Sequence, residues 1–145
     1  MRLQNKIALV TGASAGIGRA CALRFAAEGA RLVLNARRPQ PLQALAAQIQ
    51  AAGGEVVVHA SDVAEPGTAQ VLVDLAQRAY GGLDIAINNA GMLGPGLPTA
   101  DFPPDAWRQV MATNLDAAFH AARAQLPALL ARGGGSLVFI GTVVG

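Results

Sequence analysis

The sequence predicts an α/β protein built on a doubly wound parallel sheet, and three observations carry that prediction. Short runs rich in Val, Ile and Leu alternate with longer stretches of helical periodicity along the whole chain. Glycines punctuate the ends of the helical stretches, at Gly29, Gly53-Gly54, Gly81-Gly82 and 133–135, where a left-handed cap favours them. Hydrophobic residues make up 52% of the chain and charged ones 14%, a balance that suits a sheet covered on both faces.

Taken in order, the apolar run Ile-Ala-Leu-Val at 7–10 gives a first strand at about 6–11. It breaks at Thr11-Gly12 and restarts with helical spacing at Ile17, giving a helix at about 17–28. Strands follow at about 31–36, 55–60 and 83–88, separated by helices at about 40–52 and 66–79. A loop at 92–104, carrying Gly94, Pro95, Gly96, Pro98, Pro103 and Pro104, leaves the fourth strand at its carboxyl end. It is either a plain connector or a segment on the substrate side of a ligand crevice. A long helix at about 104–131 carries an apolar stripe through Trp107, Val110, Met111, Leu115, Ala118, Phe119, Ala122, Leu126 and Leu129, and a fifth strand is expected at about 136–141. The 145 residues form one domain, with no repeat or linker.

The turn between the first strand and the first helix holds Gly12, Gly16 and Gly18 in a GxxxGxG pattern. Glycines there let the chain bend sharply and let its backbone approach a pyrophosphate, which sits on the positive end of the following helix. For a sheet of this kind the expected strand order is 3-2-1-4-5, with the cofactor crevice between strands 1 and 4. Cofactor choice is read at the end of the second strand, where an NAD-preferring chain places a carboxylate. Ala36 stands there, followed by Arg37 and Arg38, so NADP is the expected cofactor and NAD the less favoured one.

With the Thr11-Gly12-Ala-Ser14-Ala-Gly16-Ile-Gly18 turn in place, further motifs fall in sequence order: Asp62-Val63, Asn88-Asn89-Ala90-Gly91, Thr113-Asn114-Leu115, and Ile140-Gly141-Thr142-Val-Val-Gly145. Together they resemble the short-chain dehydrogenase/reductase family, whose fingerprint is TGxxxGxG, over the whole chain. The last run looks like that of the 3-oxoacyl-carrier-protein reductases, with Thr in place of Ser. The resemblance implies a Rossmann-type fold, truncated relative to the family, and an NADP-dependent oxidoreductase interconverting an alcohol and a carbonyl. It implies a cofactor site at Gly12, Ser14, Ala15, Gly16, Ile17 and Gly18, at Arg37 and Arg38, at Asp62 and Val63 beside the adenine, and at Asn89, Ala90 and Gly91 beside a ribose. It implies catalytic roles for Asn114, which would hold a water, and for Thr142, which would polarise the substrate carbonyl. The family's catalytic Tyr and Lys belong to a YxxxK motif just past Gly145. Tyr80 and Lys6, the only Tyr and Lys here, do not fit it.

Several of these residues also have plainer readings. Asp62 after a strand is a routine turn or helix cap. The plain reading of Asn114 on an apolar stripe is a satisfied core amide, and the Thr113-Asn114-Leu115 match favours the catalytic one that the resemblance implies. Thr11 is expected to bond across to the segment around Asn88, and Asn88 and Asn89 to form a network joining the fourth strand to the glycine turn. Cys21 is expected in the core.

Composition excludes other classes. A net charge of +2, with no basic stretch beyond Arg37-Arg38, argues against a nucleic-acid surface. One cysteine permits no internal disulfide, His59 and His120 have no partners at metal-ligand spacing, and no segment reads as a signal peptide or a membrane span. A cytoplasmic protein acting on a small-molecule carbonyl or alcohol is expected. The apolar edge at 137–140 and the long-helix stripe predict a homo-oligomer. Without the Tyr and Lys, the 145-residue polypeptide by itself is expected to transfer no hydride, and an inactive cofactor-binding module is the alternative.

Overall fold

The structure, a computed structural model, describes residues 1–142; Val143, Val144 and Gly145 of the expected exit run lie outside the described residues. The elements are β1 (Ile7–Val10), α1 (Gly16–Ala27), β2 (Arg31–Ala36), α2 (Pro39–Ala51), β3 (Glu55–Ala60), α3 (Thr68–Tyr80), β4 (Ile85–Asn88), α4 (Pro104–Met111), α5 (Ala117–Ala131) and β5 (Ser136–Phe139). A short 3-10 turn, Thr99–Asp101, precedes α4, and a π turn, Ala112–Asp116, joins α4 to α5 in one continuous rod. The five strands are parallel in the order β3-β2-β1-β4-β5, as the sequence predicts.

Strand alternation sends side chains to two separate cores. Ala8, Val10, Leu32 and Leu34 face α1 and α2, packing on Leu42, Leu45 and Ile49. Ile7, Leu9 and Val33 face α3 and α5, packing on Leu72, Ala76 and Leu129. The central strands are apolar on both faces for this reason, and a sheet sandwiched between helix layers follows. Cys21 packs, partly buried, against the first core.

The long helix leaves its apolar stripe partly uncovered, as expected from the sequence. Of the expected stripe, Trp107 and Phe119 are 58% and 63% exposed, and Leu115 and Leu126 are exposed too. The face against the sheet is Thr113, Ala117, Ala121, Gln125 and, from the expected stripe, Leu129, at a strict four-residue spacing. Small side chains at 117 and 121 let the rod lie close over the sheet, so the larger apolar residues face outward.

At the amino edge of the sheet, Asp84 ties three elements together. Its carboxylate accepts the Ile7 N–H at 2.9 Å and the Arg132 guanidinium at 3.2 and 3.3 Å. Its own N–H donates to Ile7 O, and its carbonyl accepts from Ser136 N. With its backbone committed this way, Asp84 ends the ladder one residue before β4, which starts later than the sequence reading placed it. Burial raises the carboxyl pKa, but the Ile7 N–H, Arg132 and Lys6 outweigh it, and the net shift is downward from 3.8. A lowered native pKa contributes stability above the unfolded value, lost as pH falls through the native one. Asp84→Ala is therefore expected to cost about 2 kcal/mol near neutral pH. In urea titrations across pH, the gap between variant and parent should narrow once pH drops below about 4.

Candidate functional site

Parallel strands place all their carboxyl ends on one side, and the order reverses at β1, between β2 and β4. A cleft of about 430 Å³ opens there, lined by Gly12 and Ser14 after β1, Asn35 to Arg38 at the end of β2, Ser61, Asp62 and Val63 after β3, Asn89, Ala90 and Gly91 after β4, and Thr113 from the long helix. The volume falls in the range of small-molecule sites. Nine of the residues expected to bind cofactor line this one cleft: Gly12, Ser14, Arg37, Arg38, Asp62, Val63, Asn89, Ala90 and Gly91.

The remaining four, Ala15, Gly16, Ile17 and Gly18, form the cap and first turn of α1 directly beyond Ser14. No side chain caps this helix and its first turn holds no acidic residue, so its first N–H groups have no intrahelical acceptor. Gly12 sits at φ +62°, in the left-handed region, and a Cβ on it would meet Ala90 Cα at 2.9 Å. A Cβ on Gly18 would overlap the Gly12 carbonyl. A turn this tight, with an uncapped helix end behind it, fits a pyrophosphate bound through bare backbone.

Thr11 locks the turn to β4. Its N–H donates to Ile87 O at 3.0 Å, and its hydroxyl oxygen accepts the N–H groups of Asn89 and Ala90 at 3.0 and 3.1 Å. The Asn89 amide returns the link, donating to Thr11 O and Gly12 O at 3.1 and 3.2 Å. Asn88 does not join this network. Its amide pairs reciprocally with Gln125 of α5 at 2.8 and 2.9 Å, because alternation turns it to the opposite partner. Asp62 accepts the Ala64 N–H at 2.9 Å, so the plain turn-capping reading holds for one of its oxygens while the residue also lines the cleft.

Asn114 falls in the π turn and is exposed rather than buried on a stripe. Its amide pairs with the backbone of Met92 in both senses, accepting the N–H at 2.9 Å and donating to the carbonyl at 2.8 Å. The chain after Gly91 is thereby pinned to the long helix. Asn114 also lines a smaller cavity of about 70 Å³ behind the cleft, shared with Thr11, Asn88, Thr113, Gln125 and Ile140. Thr142 lies exposed past the end of β5. The Tyr80 hydroxyl sits 3.4 Å from Leu32 O near the start of β2, at the far edge of the sheet. Burial, with Glu55 nearby, pushes its pKa up to about 12. Lys6 precedes β1 at that same edge.

The profile of the family described as short chain dehydrogenase matches residues 6–145. The chain belongs to the short-chain dehydrogenase family. It is 35% identical over 144 residues to a cyclohexanol dehydrogenase of Acinetobacter sp. (strain SE19), covering 99% of this chain and 57% of that protein. It is 38% identical over 144 residues to a 3beta-hydroxysteroid dehydrogenase of Mediterraneibacter gnavus, covering 99% of this chain and 52% of that one. Among solved structures, a metagenomic short-chain oxidoreductase in complex with NADP superposes with a TM-score of 0.93 at 36% identity, over 99% of this chain and 65% of that one. The chain thus spans a little over half the length of these curated relatives. Short-chain dehydrogenases are oxidoreductases that bind NAD or NADP, and the named relatives are dehydrogenases.

Three lining residues escaped the sequence reading: Asn35, Ser61 and Thr113. Asn35 left a signal, as a polar residue inside the apolar run of β2. Among the described residues no three His, Cys, Asp or Glu are grouped to hold a metal, and no helix is long and apolar enough to cross a membrane.

The Thr11 lock yields a direct test. Thr11→Val leaves the Asn89 and Ala90 N–H groups without their acceptor and should cost about 2 kcal/mol in chemical denaturation. Thr11→Ser, which keeps the oxygen, should retain most of that stability.

Proposed function

We propose that the protein is an NADP-preferring oxidoreductase that interconverts an alcohol and a carbonyl on a small molecule by hydride transfer. One observation carries the cofactor half of this reading. Ala36 ends β2 without a carboxylate, and Arg37 and Arg38 line the same cleft as Gly12 and Ser14. A carboxylate there would repel a 2′-phosphate, whereas a guanidinium receives one through paired, charge-assisted hydrogen bonds. The likeness to an oxidoreductase solved with NADP agrees with this reading.

The nicotinamide, when bound, supplies or receives the hydride. This chain's own groups do the rest of the positioning assigned here. The glycine turn and the uncapped end of α1 take the pyrophosphate, and Asp62 with the Val63 backbone takes the adenine. Asn89, Ala90 and Gly91 face the ribose. Asn114 fixes the backbone at Met92 on the substrate side and is proposed to hold a water there. Thr142, at the carboxyl side of β5, is proposed to hold the substrate carbonyl through its hydroxyl. The loop from Met92 onward, which leaves Leu93 almost fully exposed, borders the substrate side. Exposed Trp107, Phe119, Leu126 and Leu130 on one helical rod support association between copies of the chain.

Calorimetric titration of the full-length protein tests the cofactor assignment. NADPH should bind about ten- to a hundredfold more tightly than NADH, the range expected for hydrogen bonds to a charged group. Arg37→Ala should remove most of that preference. Equal affinities in the parent protein would overturn the role given to Arg37.

A further inference from the structure

Beside the cleft, the Ser61 hydroxyl proton and the buried Asn35 Oδ1 have no partner among the described residues. We propose that Ser61, set in place by Asn35, donates a hydrogen bond to the adenosine half of the dinucleotide. This rests on the reading that a dinucleotide occupies the cleft, and it adds a recognition contact to that reading.

The argument starts from Asn35, which is 1% exposed at the penultimate position of β2. Its Nδ2 donates to His59 O at 3.0 Å, to Ser61 O at 3.1 Å and to Ser61 Oγ at 2.9 Å. Two of those partners are backbone carbonyls, which only accept. The amide therefore cannot be turned over without setting oxygen against oxygen, and its orientation is fixed. The amide nitrogen carries two protons for three oxygens, so one is shared. Because that nitrogen cannot accept, Ser61 Oγ is an acceptor toward Asn35 and the serine proton points away from it. Among the described residues, no hydrogen bond uses that proton. The hydroxyl is polarised by the bond it accepts, which strengthens it as a donor.

The second group is Asn35 Oδ1, which is buried and has no hydrogen-bond partner among the described residues. A buried carbonyl oxygen left unpaired is costly, so natural chains keep few of them. Here it lies on a residue that lines the cleft, beside a serine that lines it too. The position within the cleft selects the ligand half. Ser61 directly precedes Asp62 and Val63 on the wall after β3, while Arg37 and Arg38 stand on the wall after β2. An adenosine between these walls presents acceptor nitrogens on the purine and hydroxyl oxygens on the ribose, either of which matches a lone hydroxyl donor. Asp62 can only accept, so without Ser61 that wall has no side-chain donor.

Asn35 acts through Ser61 and is a positioning residue. It also fixes the His59 and Ser61 carbonyls, and so holds the turn that carries Asp62.

Isothermal titration of the full-length protein with 2′,5′-ADP, the adenosine half of NADP alone, and with NADPH tests the proposal. Ser61→Ala should weaken both ligands about fivefold, the loss of one ordinary hydrogen bond, with at most a small drop in melting temperature in their absence, from the lost Asn35 bond. Asn35→Ala should weaken 2′,5′-ADP as well, and that loss should be smaller when it is introduced into Ser61→Ala, the remainder coming from its hold on the turn that carries Asp62. Undiminished 2′,5′-ADP binding by Ser61→Ala, or a loss seen with NADPH alone, overturns the contact while leaving the cleft's dinucleotide role standing. An Asn35→Ala penalty of equal size in both backgrounds overturns its action through Ser61. A parent protein that binds neither ligand removes the reading of the cleft and the contact with it.

Discussion

The hydroxyl oxygen of Thr11 is the atom on which most of this architecture depends. Strands β1 and β4 are neighbours only because the connection reverses direction at this point, and reversal leaves a gap between the chains that leave them. One oxygen fills that gap by accepting two consecutive N–H groups, those of Asn89 and Ala90. The Asn89 amide then closes the circuit onto the carbonyls of Thr11 and Gly12. Without the bridge, the glycine turn and the Asn89–Gly91 segment would be separate loops. With it they form one rigid rim, set to a fixed distance before any ligand arrives. Preorganisation of this kind lowers the ordering cost of binding.

The two edges of the sheet use opposite chemistry. At the carboxyl edge, side-chain amides and hydroxyls join neutral backbone groups, and the hydrogen-bonding capacity left over faces the cleft. At the amino edge, Asp84 gathers β1 and Arg132 through its charged carboxylate and the start of β5 through its backbone carbonyl. Tyr80 lies at that same edge with its proton held tightly, well away from the site.

The strands, their order and most of the cleft were legible because each leaves a local mark. Apolar runs mark β1 to β5, glycines mark the helix ends, and Ala36-Arg37-Arg38 sits where a sheet of this type reads its ligand. The long helix was harder. A stripe of Trp107, Leu115, Phe119 and Leu126 has the period of a buried face, and hydrophobicity alone cannot say which neighbour it meets. The face that does meet the sheet is marked by smallness, at Ala117 and Ala121, which composition does not separate from ordinary helix-forming residues. Asn88 and Asn89 are adjacent and alike in type, so only strand alternation shows that one serves Gln125 and the other the turn. Asn35 was visible as an amide in an apolar strand, but its three acceptors come from the end of β3 and the residue after it and cannot be counted from its own neighbourhood.

The π turn at Ala112–Asp116 acts as a phase shifter. One residue more than an α-helical turn needs is accommodated there, and each extra residue advances a helix by about 100°. The rod before it and the rod after it therefore read different registers of the same sequence. Asn114 is placed where those registers meet, which is how one helix can reach Met92 at the loop and present Gln125 to Asn88 beneath the sheet edge. A single-residue deletion within 112–116 would preserve every side chain outside it and still misalign one half of the rod against the other. Length in that stretch, more than the identity of its residues, is the quantity the fold has to keep.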